Sequence, residues 1–294
     1  MNFVNGKLKG ASYAFVCIAL WALIPVVAKL GQATLDNHQF LFWSSLISFA
    51  VLTLTSVVTG NFRLFESYRL KDFVYFFLLG LLGTYIYYLF LYLGYAKALG
   101  MEVLVVQYTW PVFVVLLSVT ILKEPFRFRT LVSILLGFLG VMLVLTKGDF
   151  EELNINNGVV ILLVLAGAFC FALFSVLSKT VDKEPIGVIS VYFFAACIAS
   201  FISMQYFSEF AVPSTKELIP VILNGVLVNG FSYVFWILAL KSTDASYLAP
   251  FVFLSPILSA IYLILFFDEP FLWVYGAGLV LVVASGLINS VGES

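Results

Sequence analysis

The apolar residues of this chain fall into ten runs, each about as long as a helix that crosses a lipid bilayer. Such a helix needs about 20 mostly apolar residues. The breaks between the runs carry glycine, proline or charged residues, which are typical of turns. The pattern predicts an all-α integral membrane protein with ten transmembrane helices, over residues 10–29, 38–59, 73–96, 102–122, 130–147, 158–179, 187–207, 218–240, 246–267 and 271–290.

The sequence around the fourth run returns around the ninth. Residues 95–126 are similar to residues 240–271, so that Pro111 aligns with Pro256 and Glu124 with Glu269. A second similar pair, residues 21–29 and 171–179, lies at nearly the same spacing. Two matched pairs at nearly one offset indicate a tandem duplication, which is best identified before any other feature.

The duplication predicts two repeats of five helices each, residues 1–150 and 151–294. Because five is an odd number of crossings, the second repeat has to enter the membrane from the opposite side. The chain is therefore predicted to be a 5+5 inverted-topology repeat, an arrangement found in many secondary transporters.

The lysines and arginines predict the orientation of these helices. Eleven of them fall in loops on the side of the N-terminus, and four fall on the other side. Cytoplasmic loops carry the excess of Lys and Arg. We therefore expect a multi-pass protein of the cell (inner) membrane, with both termini in the cytoplasm and residues 208–216 facing outward.

Composition and charge exclude several classes of protein. The chain has 294 residues, of which 63% are apolar and 11% are charged, whereas soluble domains have roughly 45–50% apolar and about 25% charged residues. The net charge of −1 and the lack of a basic patch argue against nucleic-acid binding. The three cysteines lie in apolar runs without metal-ligand spacing, so no metal site and no cofactor is predicted.

Polar and aromatic side chains inside the predicted helices are the candidates for a substrate site. Several of them share one helical face, as at the spacing of Tyr85, Tyr88 and Tyr92. Interhelical hydrogen bonds and interfacial aromatic belts are the competing interpretation. The candidates are Tyr85, Tyr88, Tyr92, Gln107, Trp110, Asn229, Ser232, Tyr233, Trp236, Phe251 and Ser255.

The inverted repeat predicts where these faces meet. Helices three and eight occupy equivalent places, so Tyr88 should lie close to Asn229 near the middle of the membrane, with Gln107 beside them. Tyr87 is predicted to point to the other face of helix three.

Prolines inside the apolar runs are candidate hinges. A proline removes a backbone donor and leaves a carbonyl one turn back without its helical partner. In lipid that carbonyl needs another partner or a water-filled cavity. Each proline can be a fixed kink or a bend where half a helix moves, and the pairing of Pro111 with Pro256 favours a bend. The candidate hinges are Pro25, Pro111, Pro250 and Pro256.

The repeated glutamates Glu124 and Glu269 stand where helices four and nine end. We expect each to fix a loop or to interact with the N-terminal dipole of the next helix. Proton coupling is the alternative role.

Helices five and ten carry glycines and few polar side chains. Small residues allow close helix packing. We therefore predict that these helices form scaffold or homodimer contacts and do not line the cavity.

These features together resemble the EamA-domain branch of the drug/metabolite transporter superfamily. The resemblance rests on Trp21 to Lys29, on Tyr95-Ala-Lys, on Pro111 followed by Leu122-Lys-Glu-Pro, and on Ala239-Leu-Lys, Pro256 and Asp268-Glu-Pro in the second repeat. It implies a ten-helix carrier that moves small metabolites, often outward, through a central cavity. Such proteins often carry an arginine early in helix two, where this chain has Phe42-Trp-Ser-Ser.

The leading hypothesis is a secondary transporter for a small neutral or zwitterionic metabolite, with an amino acid as the best guess and export implied by the resemblance. Aromatic and amide side chains suit a ligand with an apolar part and a few polar groups. Import of an organic cation such as choline is the alternative. A membrane-embedded enzyme is not expected, because the chain has one histidine and no catalytic motif, and a structural assembly factor would not need matched prolines.

Overall fold

The computed structural model of the chain describes residues 2–61, 68–97, 100–150, 157–267 and 272–290. These residues form ten helical spans, named α1 to α10 in chain order. They are α1 (Asn2–Trp21 and Ile24–Gly31), α2 (Asn37–Val58), α3 (Leu70–Gly80, Leu81–Ile86 and Tyr87–Lys97), α4 (Gly100–Gln107 and Trp110–Ile121), α5 (Phe128–Leu145), α6 (Gly158–Lys179), α7 (Pro185–Phe207), α8 (Thr215–Leu223, Asn224–Phe231 and Ser232–Ser242), α9 (Ala245–Leu248, Ala249–Phe253 and Leu254–Phe267) and α10 (Trp273–Ser290).

The predicted all-α architecture with ten helices is confirmed. Within the described ranges, nine spans are long and apolar enough to cross a membrane, and α10 is a shorter apolar helix. The predicted ends differ from the observed ends by a few residues, except that α1 begins at Asn2 and not near residue 10.

Polar caps start several of these helices where the chain turns at the membrane surface. Asp36 and Gln39 form a capping box at the start of α2, and Ser214 and Glu217 form another at the start of α8. Glu184 accepts hydrogen bonds from two backbone N–H groups at the start of α7. Caps of this kind satisfy the backbone donors that the first turn of a helix leaves without partners.

The two repeats are interleaved, and their helices pair across the boundary between them. The principal pairs are α1 with α8, α2 with α7, α3 with α6, and α5 with α10. Hydrogen bonds join the pairs, as where the hydroxyls of Thr53 and Ser190 lie 2.7 Å apart. The inverted repeat therefore builds one bundle, in which most large interfaces contain one helix from each repeat.

Five of the ten helices are interrupted. Short breaks divide α1 and α4, a 3₁₀ segment lies in α9, and π-helical segments lie in α3 and α8. The two π segments, Leu81–Ile86 and Asn224–Phe231, occupy equivalent places in the two repeats. The prolines in the sequence predicted kinks or bends, but no feature of the sequence indicated the π segments.

The glycines of α5 and α10 face each other within one chain. A Cβ atom on Gly140 would lie 2.9 Å from the carbonyl oxygen of Gly278. Ser285 also donates a hydrogen bond of 2.7 Å to the carbonyl of Ser133. The small-residue faces therefore serve packing inside the bundle. A homodimer through these helices stays a prediction, and it would have to use their opposite faces.

Close packing at the π segment of α3 predicts the effect of one substitution. A Cβ atom on Gly83 would overlap the buried ring of Phe174 in α6. We expect Gly83→Ala to destabilise the protein by about 1–3 kcal/mol, the usual cost of overpacking. Its apparent melting temperature in detergent, measured by thermal unfolding, should fall by several degrees.

The matched control for this substitution is Gly276→Ala. Apart from its chain neighbours and the backbone of its own helix, no described atom lies within 4 Å of the Cβ position at Gly276, and alanine is the better helix former. An equal loss of stability in both variants would contradict the packing argument.

Candidate functional site

A cavity of ≈ 410 Å³ extends from the helix ends opposite the N-terminus to the middle of the bundle. Its volume lies within the range of about 300–1,000 Å³ that is usual for small-molecule sites. The walls come from α1, α3, α4, α5, α9 and α10. The lining residues are Trp21, Ile24, Pro25, Ala28, Lys29, Gln32, Tyr92, Leu104, Gln107, Tyr108, Val144, Leu145, Lys147, Pro256, Ser259, Ala260, Leu263 and Tyr275.

Two lysines stand at the mouth of this cavity. Lys29 ends α1, and its Nζ lies 4.1 Å from the centroid of the Phe267 ring at the end of α9. Lys147 follows α5 and is exposed. Among the described residues that line the cavity, none is an aspartate or a glutamate. The described residues at the mouth thus include two lysines, whereas the described walls below it are apolar, aromatic or neutral.

A smaller void of ≈ 30 Å³ lies beneath the large cavity. It shares Trp21, Ile24, Gln107 and Tyr108 with the cavity above, so the two spaces adjoin. Its volume is that of about one water molecule. Its remaining lining residues are Tyr87, Tyr88, Trp110, Phe171, Tyr233, Val252 and Ser255.

Five aromatic rings close the bundle on the N-terminal side of these spaces. We name Trp21, Trp110, Phe171, Tyr233 and Trp236 the aromatic plug. Neighbouring ring centroids in it lie 4.9–6.1 Å apart, mostly in edge-to-face arrangements, which is the preferred geometry of aromatic pairs. The indole N–H of Trp236 donates to the hydroxyl of Ser175, 3.0 Å away. The plug separates the cavity from the N-terminal end of the bundle.

Hydrogen bonds connect the polar side chains around the small void. Gln107 donates through Nε2 to the hydroxyl of Tyr87 at 2.6 Å. Tyr88 donates to Oδ1 of Asn229 at 3.2 Å, so the predicted contact between α3 and α8 is present. Tyr233 donates to the carbonyl of Gly83 in the π segment of α3, at 3.1 Å. Each helix that contributes a polar group here is thereby tied to the other repeat or to a neighbouring helix.

The helix interruptions lie in the walls of the cavity. Pro25 follows the break in α1, and Pro111 follows the break in α4. Pro250 lies in the 3₁₀ segment of α9, and Pro256 comes soon after it. The carbonyl of Ala22, at the break in α1, accepts a hydrogen bond of 3.0 Å from the cavity residue Ser259. The four prolines thus mark irregular backbone next to the cavity, as expected of irregular segments at membrane depth. Their role as hinges stays a prediction.

The structure brings most of the predicted site residues together. Tyr92 and Gln107 line the large cavity, and Tyr88, Gln107, Trp110, Tyr233 and Ser255 line the small void. Asn229 and Trp236 lie behind these residues, where each contacts one or more of them. Their binding of a substrate stays a prediction.

Three of the predicted site residues lie away from both spaces. The ring of Phe251 packs 5.7 Å from that of Phe15 and lines a separate groove with Gly286. Ser232 donates to the carbonyl of Val228 within its own helix. Tyr85 lies in the π segment and packs against the hydrophobic core. Their spacing along the helices placed these residues near the site, but their side chains line neither the large cavity nor the small void.

The prediction that Tyr87 points away from the site is wrong. Its hydroxyl accepts the hydrogen bond from Gln107, and its ring lines the small void. Both Tyr87 and Tyr88 are almost fully buried, because both lie on the side of α3 that packs against other helices, whereas Leu89, Phe90 and Leu93 form its partly exposed side. The sequence also gave no prediction that the cavity would be lined by Trp21, Tyr108, Ser259, Lys29 and Lys147. The proline-marked breaks close to Trp21 and Tyr108 were the signal in the sequence.

We expected Glu124 to fix a loop or to interact with the N-terminal dipole of the next helix, α5, but its described hydrogen bonds to backbone N–H groups lie at the start of α9. Its carboxylate accepts hydrogen bonds from the backbone N–H groups of Ala245 and Ser246, at 2.9 and 3.0 Å, at the start of α9. The expectation of a helix dipole was therefore sound, but the helix is α9 and not α5. Glu269, its counterpart in the second repeat, lies outside the described residues.

Comparisons with known proteins agree with this architecture. The model of the EamA-like transporter family matches the chain twice, over residues 8–146 and 158–291. An uncharacterized transporter of Archaeoglobus fulgidus is 26% identical over 83% of this chain and 84% of its own length. An S-adenosylmethionine uptake transporter of Rickettsia felis is 30% identical over 56% of this chain and 54% of that relative.

Solved structures share this fold, among them a crystal structure of a protein. It superposes with a TM-score of 0.82 over 96% of this chain and 97% of its own, at 19% sequence identity. At this level of identity the likeness concerns the fold alone.

The geometry of the cavity predicts which engineered cysteines water can reach. In a variant without the native cysteines, Ala260→Cys should react with a charged methanethiosulfonate reagent, because Ala260 lines the large cavity. Ala196→Cys should stay unreactive, since Ala196 is fully buried in α7. Equal reaction rates at the two positions, measured on the folded protein, would contradict the assignment of an open cavity.

Proposed function

The chain belongs to the EamA-like transporter family, and we propose that it is a secondary transporter that carries a small neutral or zwitterionic metabolite, an amino acid, across the cell membrane by alternating access. The observation that carries this proposal is the cavity of ≈ 410 Å³, which is open toward one end of the bundle and closed by the aromatic plug toward the other. A cavity of this kind is expected of one end state of a carrier, in which repeats rock around a central site.

The lining of the cavity supports an amino acid as substrate. Lys147 at the mouth supplies positive charge for a carboxylate. Tyr92, Tyr108 and Trp21 offer apolar ring surface for a side chain, and Gln107 offers an amide for hydrogen bonds. Two lysines at the rim, with no arginine among the described lining residues, suit a highly phosphorylated ligand poorly.

The distribution of basic residues supports a cytoplasmic location for both termini. Eleven of the fifteen lysines and arginines lie on the side of the N-terminus, which is the expected cytoplasmic excess. With this orientation the cavity faces the outside of the cell, and the aromatic plug closes the cytoplasmic side.

A second candidate is the uptake of an organic cation. The Rickettsia felis relative is named an S-adenosylmethionine uptake transporter, and aromatic faces such as those of Trp21 and Tyr108 attract sulfonium and quaternary ammonium groups. S-adenosylmethionine combines a sulfonium with an amino-acid group, so it fits both the amino-acid proposal and the organic-cation proposal. Choline would satisfy only the second.

Transport by the purified protein tests these proposals. Proteoliposomes should accumulate at least one amino acid from a mixed pool of amino acids, choline and S-adenosylmethionine, as measured by mass spectrometry. A hydrogen bond to a charged ligand group contributes roughly 1.5–3 kcal/mol, so Gln107→Leu should raise the KM about ten- to a hundredfold. Accumulation of phosphorylated anions alone would contradict the amino-acid proposal.

The control for Gln107→Leu is Gln205→Leu. Gln205 is exposed on the membrane-facing side of α7 and does not line the cavity. Its replacement should leave the KM unchanged. If both substitutions raise the KM equally, Gln107 has no specific role in binding.

Labelling of cysteines in intact cells tests the orientation. In a variant without native cysteines, Lys216→Cys should react with an impermeant reagent in intact cells, whereas Lys123→Cys should react only after the membrane is permeabilised. Both side chains are exposed, so a difference in labelling before permeabilisation shows on which side of the membrane each residue lies. The reverse pattern would mean that the termini lie outside.

A further inference from the structure

We propose that Glu124 and Lys179 form a latch that holds the N-terminal end of the cavity closed and has to open once in each transport cycle. This inference rests on the proposed function and identifies two residues that position the helices without contacting the substrate. The latch lies at the end of the bundle opposite the cavity mouth, where α4 and α6 end and α9 begins.

The contacts of the latch join three helices. Lys179 Nζ lies 2.7 Å from Glu124 Oε1, so the end of α6 is bound to the end of α4. The same lysine donates to the carbonyl of Thr243 at 2.7 Å. Glu124 also accepts hydrogen bonds from the N–H groups of Ala245 and Ser246 and from the hydroxyl of Ser246, at 2.8–3.0 Å.

The carboxylate is ionised in this arrangement. Burial alone would raise the pKa of Glu124, but the Lys179 ammonium and the hydrogen bonds from Ala245 and Ser246 outweigh burial and lower its pKa below the ordinary value. Removal of one partner from a buried ion pair leaves the other charge without compensation, which is strongly unfavourable. The three helix ends therefore stay together as long as both charges are present.

The latch acts on the helices that carry the aromatic plug. Trp110 begins the second segment of α4, which runs directly to Glu124, and Phe171 lies on α6 two turns before Lys179. Their rings are 4.9 Å apart at the centre of the plug. A path to the N-terminal side requires that these rings separate, and their helices can separate only if the latch opens.

Cysteine accessibility tests the latch without knowledge of the substrate. The reporter is Val114→Cys, in a variant without native cysteines, because Val114 is fully buried one turn from Trp110 toward Glu124. With Glu124→Gln, a charged thiol reagent added from the N-terminal side should label this cysteine faster by roughly 5–150-fold, the usual range of conformational coupling. Ala260→Cys in the cavity should at the same time become slower to label from the other side.

Two further variants make the test specific. Lys179→Met removes the same ion pair from the other partner and should have the same effect. Glu184→Gln is the matched control, because Glu184 also caps a helix at this end, and its cap hydrogen bonds go to N–H groups of its own helix, α7. A general loosening of the fold would instead increase the labelling of Ala196→Cys, which is buried in α7 away from the plug.

The outcomes separate the latch from the proposed function. Unchanged labelling of Val114→Cys in both latch variants would overturn the latch, even if the protein transports amino acids. An equal increase in the labelling of Val114→Cys with Glu184→Gln would also overturn the latch, because Glu124 would then act only as a stabilising helix cap. Opposite changes at Val114→Cys and Ala260→Cys would support the latch even if the transport assay finds no amino acid.

Discussion

A polypeptide inside a lipid bilayer has to satisfy its backbone N–H and C=O groups with partners from the protein, because lipid tails offer none. In this chain the five helices with interrupted backbone all contribute to the cavity or the plug, beside the continuous helices α5, α6 and α10, whereas α2 and α7 are continuous and lie outside them. Side chains of neighbouring helices donate hydrogen bonds to some backbone carbonyls in the interrupted segments. Ser259 donates to the carbonyl of Ala22, and Tyr233 donates to that of Gly83. The cavity and the irregular helices therefore depend on each other.

Much of the fold could be predicted from the sequence because the bilayer imposes a simple rule of length and polarity. The length of the apolar runs predicted the ten helices. The similarity of residues 95–126 to residues 240–271 predicted the inverted repeat. The π segments could not be predicted in this way. One extra residue in a turn leaves no mark on an apolar pattern, and the tight contact of Gly83 with Phe174 depends on how α3 and α6 approach each other.

The candidate site was predictable only where the repeat itself determines the geometry. Helices three and eight are equivalent, and Tyr88 does contact Asn229. Periodicity failed for Tyr87, because Tyr87 and Tyr88 both lie on the buried side of α3, and adjacent residues on that side can both contact the site. It failed also for Phe251, because the 3₁₀ segment in α9 changes the direction of side chains relative to a regular helix. The lysines at the mouth stand at helix ends, where interfacial anchoring is the ordinary explanation.

The break in α1 has no counterpart in α6. Pro25 aligns with Ser175, α6 runs without interruption, and the hydroxyl of Ser175 accepts the hydrogen bond from Trp236. A carrier with two identical halves would have two end states of equal energy, related by the two-fold axis in the membrane plane. Once the halves differ, this degeneracy is lost and the protein acquires a resting state. In the alternating-access cycle that we propose, the energy difference between Pro25 and Ser175 in their two surroundings would help to decide which end of the empty protein is open.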